Sequence, residues 1–250
     1  MLAEVKSVKG FEDAFRCMFI SKRTLTKDLS DEIDRVCRLV LNQNTGFMAD
    51  SVANGDINQE AKDQFNKWLD MLCKMGRKHI TVLRFIDISI MTWGMHRAGQ
   101  DDIDSHAKRF DNRIIRSSTR IKGGKDFLNA EMSAWYQDKI MTTGMAAESL
   151  GIELPKSFEK DGEEWVAVTN GYVRKSDVDN RDITRGLLML SIPSDFQSKI
   201  NVCEFAHVYK QRNSEGHANP EVKQWAEMVL AGIFDAFPQF NRELMMEIEN

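Results

Sequence analysis

The densest run of anion-binding groups in the sequence lies between residues 106 and 120. There His106, Lys108, Arg109, Arg113, Arg116 and Arg120 are interleaved with Ser117, Ser118 and Thr119. A guanidinium meets a phosphate through two parallel hydrogen bonds and hydroxyls fill the remaining acceptor positions, so this composition suits a nucleotide phosphate better than a neutral substrate. A solvated helix face is the alternative, because motif-like runs of this kind have ordinary structural explanations. A second concentration lies around Lys210, Arg212, His217 and Lys223, with His207 and Glu221 close by in sequence. The structural alternatives there are a core histidine one helical turn after Cys203 and a helix start at Asn219-Pro220, since proline suits the first turn. His79-Ile80-Thr81 is the third candidate, and a histidine in that position acts chemically only if partners converge on it.

What the sequence lacks bounds what these groups do. No G-x-G-x-x-G, Walker loop, G-x-S-x-G or H-E-x-x-H occurs, which leaves the classical nucleotide folds, serine hydrolases and zinc proteases without motif support. Cys17, Cys37, Cys73 and Cys203 lie far apart with no C-x-x-C pair. Reduced core thiols are therefore expected, with neither a metal site nor a dithiol centre. A net charge of −4 argues against generic nucleic-acid binding, whose affinity rests on many phosphate contacts. Any bound anion must then be met by local positive charge. No apolar run approaches the ~20 residues of a membrane helix. Met1-Leu2-Ala3-Glu4 also lacks the basic and apolar regions of a secretory signal, so a cytoplasmic protein with no membrane partner is expected.

Such groups must be positioned by a folded chain, and 42 % apolar with 29 % charged residues is the composition of a globular one. Leu29, Ile33, Val36, Leu39 and Val40 recur at helical spacing over Asp28–Leu41, with Ser30 and Asp31 as cap chemistry. Phe65, Leu69 and Leu72 do the same over Ile57–Met75, after an Asn54-Gly55-Asp56 loop. Arg84–Trp93 nearly alternates bulky apolar residues with Asp87 and Ser89 and reads as a strand with one buried face. A long helix is expected over Lys125–Leu150 after the Gly123-Gly124 break. Glu164–Val168 and Tyr172–Lys175 flank Thr169-Asn170-Gly171, and Asn-Gly between alternating residues predicts a hairpin. Helices over Gln197–Gln211 and Pro220–Phe237 close the chain. Without an internal repeat or low-complexity linker, the expectation is one α+β domain over residues 1–250. It is helix-rich, with a small antiparallel sheet and a β-hairpin insert near 163–176.

Taken in order, these segments resemble the flavin-dependent thymidylate synthases over most of the chain. Ala14-Phe15-Arg16-Cys17 resembles that family's A-x-R-x-C/S segment close to the flavin. His79-Ile80-Thr81-Val82-Leu83-Arg84-Phe85, followed by Ile88-Ser89-Ile90, is similar to its H-x-S/T-V-x-E-H-x-x-F-T-F segment, with His79 and Thr81 on flavin-contacting positions. Arg97-Ala98 resembles the R-A that precedes the family signature. The stretch from Asn201 to Arg212, then His217 to Lys223, resembles N-L-R-S-L-x-H-F-x-x-L-R followed by A-Q-W-E-I-R. Asn201, His207, Arg212, Ala218 and Glu221 match by identity, and the gap between Arg212 and Ala218 is one residue longer than usual. The central R-H-R-x-x-S-x-N-E-x-S-x-R-Y is where this chain departs. Ser105 and Ala107 flank His106, Arg116 stands at the glutamate and Ile121 at the tyrosine, while Ser118-Thr119-Arg120 fits S-x-R.

The resemblance implies FAD-dependent reductive methylation of dUMP to dTMP, with the methylene from methylenetetrahydrofolate and electrons from NADPH. It implies no protein nucleophile: hydride comes from the reduced flavin while the protein fixes geometry and charge. It also implies a homotetramer with sites shared between subunits. On the matching positions, His106, Ser118 and Arg120 are implied as catalytic, and His79, Thr81, Asn201, His207 and Arg212 as cofactor-binding. Arg109, Arg113, Arg116, Ser118, Arg120 and Lys223 are implied as substrate-binding. The altered signature leaves two alternatives open. One is a divergent, phage-like branch that binds the same ligands with rearranged arginines. The other is a relative with altered chemistry, such as hydroxymethylation of a pyrimidine deoxynucleotide. A non-enzymatic phosphate- or nucleic-acid-binding module built on the arginine cluster alone is the third reading.

Overall fold

The computed structural model describes residues 1–49, 59–104, 113–116, 133–168, 170–184, 187, 190–213 and 219–248, with 104, 113–116, 181 and 182 described through their backbone alone. Strand β1 (Leu2–Lys9) leads through Gly10 into α1 (Phe11–Ser21). Gly10 has φ 99°, and a Cβ there would sit 1.8 Å from the Phe85 carbonyl oxygen, so the turn accepts only glycine. Helix α2 (Lys27–Val40) is capped by Thr26, whose hydroxyl accepts the Leu29 N–H at 3.2 Å. The sequence places the cap at Ser30 and Asp31 instead. Those residues lie inside the helix, whereas Thr26 has the extended backbone a cap requires. Helix α3 (Gln59–Gly76) buries Phe65, Trp68, Leu69 and Leu72.

Ile80–Phe85 then forms a 3-10 turn, and β2 runs over Asp87–His96. The strand thus begins later than the alternation from Arg84 predicts, because Ile86 N–H closes the turn onto the Leu83 carbonyl at 3.2 Å. Helix α4 (Arg97–Asp104), β3 (Arg113–Arg116) and α5 (Thr143–Ser149) follow. The long helix expected over Lys125–Leu150 is not formed in its described part. The chain turns at Tyr136–Lys139, and α5 starts afresh at Thr142, whose hydroxyl accepts the Met145 N–H at 3.2 Å. Strands β4 (Ser157–Lys160), β5 (Glu163–Val168) and β6 (Gly171–Arg174) precede a short α6 (Arg181–Thr184). Next come β7 (Pro193–Asn201) and α7 (Val202–Asn213). The expected helix from Gln197 is corrected here: residues 197–201 are strand, with Ser198 and Ile200 buried and Gln197 and Lys199 exposed. That two-residue period is the strand signature. Helices α8 (Pro220–Ala236) and α9 (Arg242–Glu247) end the chain. Among the described residues no helix is long and apolar enough to cross a membrane.

The chain divides into two compact units. The larger holds residues 2–92, 102–115 and 197–250. Its four-stranded sheet has the order β1-β2-β7-β3. Asp87 pairs with Lys199, and Gln197 Nε2 donates to Ser89 Oγ at 3.3 Å, an antiparallel register between β2 and β7. Its core is aromatic. Phe11 lies 4.7 Å from Phe237 and 5.3 Å from Phe65 between ring centroids, and Phe15 lies 5.4 Å from Phe65. Trp225 Nε1 donates to the buried Thr92 hydroxyl at 2.9 Å.

The smaller unit holds Met1 and residues 93–101 and 116–196. Its sheet, β4-β5-β6, is antiparallel throughout, with Phe158 opposite Trp165 and Trp165 opposite Arg174. Val168 pairs with Gly171, and Asn170 takes φ 65°, the left-handed conformation that asparagine tolerates in a two-residue hairpin loop. Gln100, fully buried, donates from Nε2 to the carbonyls of Ser194 at 2.9 Å and Met95 at 3.2 Å.

Candidate functional site

Two of the segments singled out from sequence meet in the larger unit. After α3, the N–H groups of Lys78 and His79 both reach the Met75 carbonyl, at 3.1 and 2.9 Å, and the 3-10 turn follows. Val82 and Leu83 are its buried face. His79 and Thr81 are left exposed, and neither side chain has a partner among the described residues.

The second segment starts where β7 becomes α7. Asn201 is fully buried, and its Oδ1 accepts the Glu204 N–H at 2.9 Å, capping the helix. The first turn of α7 is fastened to the 3-10 turn twice. Val202 N–H donates to the Ile86 carbonyl at 2.9 Å, and the Cys203 thiol donates to the Ile80 carbonyl at 3.0 Å across 123 residues of sequence. An exposed imidazole and hydroxyl are thereby set beside the N-terminal end of a helix, where unpaired N–H groups favour negative charge. Helix α1 packs on the same turn. Its Ala14 and Phe15 are buried, while Arg16 is held by Ser30 at 3.0 Å, Asp13 at 3.0 Å and Asp34.

The remaining site residues divide. Arg212, at the end of α7, pairs with Asp102 on α4 at 2.8 Å, and its side chain is only 14 % exposed. His207 is half-buried on α7, one turn after Cys203. Lys223 is exposed in the first turn of α8, which Asn219 caps by accepting the Glu221 N–H at 3.0 Å. The capping role read for Asn219-Pro220 is thus present, with Glu221 buried. Arg113 and Arg116 lie on β3, so that part of the basic run is strand and not a helix face. His106, Arg109, Ser118, Arg120 and His217 lie outside the described residues.

Asp102 is the residue that sequence reasoning missed. It sits in a run of acids, Asp101-Asp102 with Asp104, whose local pattern reads as a solvated helix. Its partner is 110 residues away, so no spacing rule reaches it. Cys37, Cys73 and Cys203 are buried and Cys17 is half-buried, and burial pushes the thiols of Cys17, Cys37 and Cys73 up, the last to about 12. Thiols held protonated at neutral pH are poor nucleophiles.

No protein-family profile matches the sequence, and no curated protein is recognisably similar to it. Solved structures are similar in fold. A flavin-dependent thymidylate synthase ThyX from Helicobacter pylori, complexed with FAD and dUMP, superposes at TM-score 0.51 with 13 % identity over 100 % of both chains. A second Helicobacter pylori ThyX structure, also with FAD and dUMP, gives 0.48 and 11 % identity over 99 % of each chain. The UMP/dUMP methylase PolB from Streptomyces cacaoi, bound with 5-Br dUMP, gives 0.49 and 11 % identity over 96 % of this chain and 92 % of that one.

Proposed function

We propose that this chain, which carries the fold of the flavin-dependent thymidylate synthases, is a dUMP-modifying flavoenzyme. The reaction proposed is reductive methylation of dUMP to dTMP with FAD, NADPH and methylenetetrahydrofolate, in a homotetramer. The reading is supported by a likeness of fold that covers the whole of both chains, and by the meeting in this chain of the two segments whose sequence resemblance implies flavin contacts.

The residues present fit the cofactor. His79 and Thr81 are exposed and engaged with no other described group, so both remain available to a ligand. The bound flavin supplies hydride chemistry that no side chain has. The chain's own part is orientation. His79 and Thr81 offer a ring nitrogen and a hydroxyl to the polar edge of a heterocycle. Asn201 fixes the start of α7 and so holds these groups in register with it. Arg212, steadied by Asp102, carries a cation in the last turn of α7. For the nucleotide phosphate we assign Arg109, Arg113, Arg116, Ser118, Arg120 and Lys223, because a dianion needs local cations in a chain of net charge −4. His106, Ser118 and Arg120 are assigned to the pyrimidine during reaction, and His207 to the cofactor.

The test is direct. Purified protein should show flavin absorbance, change that spectrum on dUMP addition, and form dTMP with NADPH and methylenetetrahydrofolate. Protein that neither carries nor takes up FAD would overturn the reading. Flavin and dUMP binding with a product other than dTMP would move it to a related pyrimidine modification.

A further inference from the structure

Gln100, Ser133 and Ser191 of the smaller unit are only 0 %, 1 % and 4 % exposed, and Gln100 Oε1, Ser133 Oγ and Ser191 Oγ have no hydrogen-bond partner among the described residues. The backbone brings their segments together. Arg97 N–H donates to the Ile192 carbonyl at 3.1 Å and Ala98 N–H to the Leu190 carbonyl at 3.0 Å, which lays the start of α4 along residues 190–192. From a third segment, Ser133 N–H donates to the Ser191 carbonyl at 2.8 Å. The Gln100 amide is fixed in its orientation, because Nε2 donates to two carbonyls, those of Ser194 at 2.9 Å and Met95 at 3.2 Å. Turning it round would set oxygen against oxygen, so Oε1 is the atom that needs a donor.

Buried polar atoms in native folds are met by protein groups or by ordered solvent, because an unmet one keeps its full desolvation penalty. The chemistry of these three atoms restricts what meets them. Each serine hydroxyl has a proton to place, and the amide oxygen can only accept. The complementary group therefore accepts two hydrogen bonds and donates at least one. A metal cation accepts none and leaves both hydroxyl protons unplaced. A halide donates none and faces the amide oxygen with like charge. Either ion would also be buried without a counter-charge from Gln100 or the serines, which is costly. Water has two lone pairs and two protons, and buried waters typically make about three hydrogen bonds of this kind.

We propose that one internal water molecule is held by Gln100, Ser133 and Ser191, accepting from both hydroxyls and donating to the amide oxygen. It is a fixed part of the smaller unit and joins α4, residue 133 and the approach to β7. The site is independent of the flavin reading.

The sign of a stability change tests it. Ser133→Ala and Ser191→Ala are measured singly and together by thermal denaturation of the full chain without added ligand. A hydroxyl that binds the water stabilises the fold, so each single variant should melt about 2–4 °C below wild type, the shift expected from one ordinary hydrogen bond in a chain of this size. Both hydroxyls hold the same molecule, so the double variant should lose clearly less than the sum of the two single shifts. A crystal structure of the wild-type protein should show one solvent molecule within hydrogen-bond distance of all three oxygens. Single variants that melt at or above the wild-type temperature overturn the proposal, since deleting a hydroxyl that has no partner relieves the fold. Strictly additive losses overturn the shared water. Electron density from a side chain, or from a molecule larger than water, between the three residues overturns it as well.

Discussion

Arg212 and Asp102 form an ion pair at 2.8 Å that ties the end of α7 to α4, with side-chain exposures of 14 % and 30 %. The arginine is thus a cation held in place by protein, and its direction is set before any ligand arrives. Removing the carboxylate leaves a largely buried guanidinium without this counter-charge. Asp102→Asn should cost about 1–2 kcal/mol, less than a fully buried pair because Asp102 keeps contact with water. Urea denaturation measures the loss. If Arg212 serves the cofactor, the same variant should weaken FAD more than the stability change explains. A variant with wild-type stability and wild-type FAD affinity would show that the pair does neither.

Flavin binding itself is tested by His79→Ala combined with Thr81→Ala. Both side chains are exposed, so the fold should survive, with far-UV dichroism and melting temperature near wild type. Two lost hydrogen bonds of about 1 kcal/mol each correspond to about 30-fold weaker FAD binding. Unchanged flavin affinity would remove both residues from the site.

Gly10 supports that locus from behind. Its φ of 99° and the 1.8 Å approach of a would-be Cβ to the Phe85 carbonyl make Gly10→Ala doubly unfavourable, since the obstructing atom is backbone and cannot rotate away. The variant should lose several kcal/mol or fail to fold. Thermal denaturation of Gly10→Ala beside wild type gives the answer, and a melting temperature within a degree or two of wild type would contradict the close approach.

Alkaline pH provides another handle. Burial, then the hydrogen bond to Glu227 at 2.9 Å, pushes the Tyr209 hydroxyl up to about 12 from an ordinary value near 10. A raised value in the folded state means that the unfolded chain releases the proton first as pH climbs. Stability from this group is therefore full below about pH 10 and is lost between about 10 and 12. Denaturation midpoints across that window should fall less steeply in Tyr209→Phe than in wild type. Equal slopes would place the titration elsewhere.

The buried hydrogen bond from Trp225 to Thr92 gives a stability test remote from any ligand. Trp225→Phe leaves the fully buried Thr92 hydroxyl without this donor, at a cost of about 1–3 kcal/mol plus the volume change. Chemical denaturation should show the loss with FAD affinity unaltered.

Helices with a plain apolar period were legible in the sequence, because burial alone decides them. Leu69 and Leu72 on α3 and the Asn219-Pro220 start of α8 are of this kind. Boundaries were less legible. Whether Gln197–Asn201 is helix or strand depends on pairing with β2, a partner far off in sequence, and Ser198 and Ile200 fit either period over so short a span. The site was legible in parts. His79 and Thr81 stood out by type and Asn201 through the resemblance, but their meeting depends on Cys203 bonding to Ile80, which no local pattern encodes. Strand β1 escaped notice because Glu4, Lys6 and Lys9 interrupt its apolar residues.

The contact between Phe11 and Phe237 has a consequence for how the protein is made. These rings come from the first and the penultimate helical regions of the chain, and residues 93–196 are mostly given over to the smaller unit. During synthesis, at about 5–20 residues per second, Phe11, Phe15 and Phe65 emerge early and wait for roughly ten seconds or more before the helix that covers them leaves the ribosome. The larger unit therefore cannot complete its core until the segments that follow residue 196 have been made, and the contact of α7 with the 3-10 turn at Ile80–Phe85 forms no earlier.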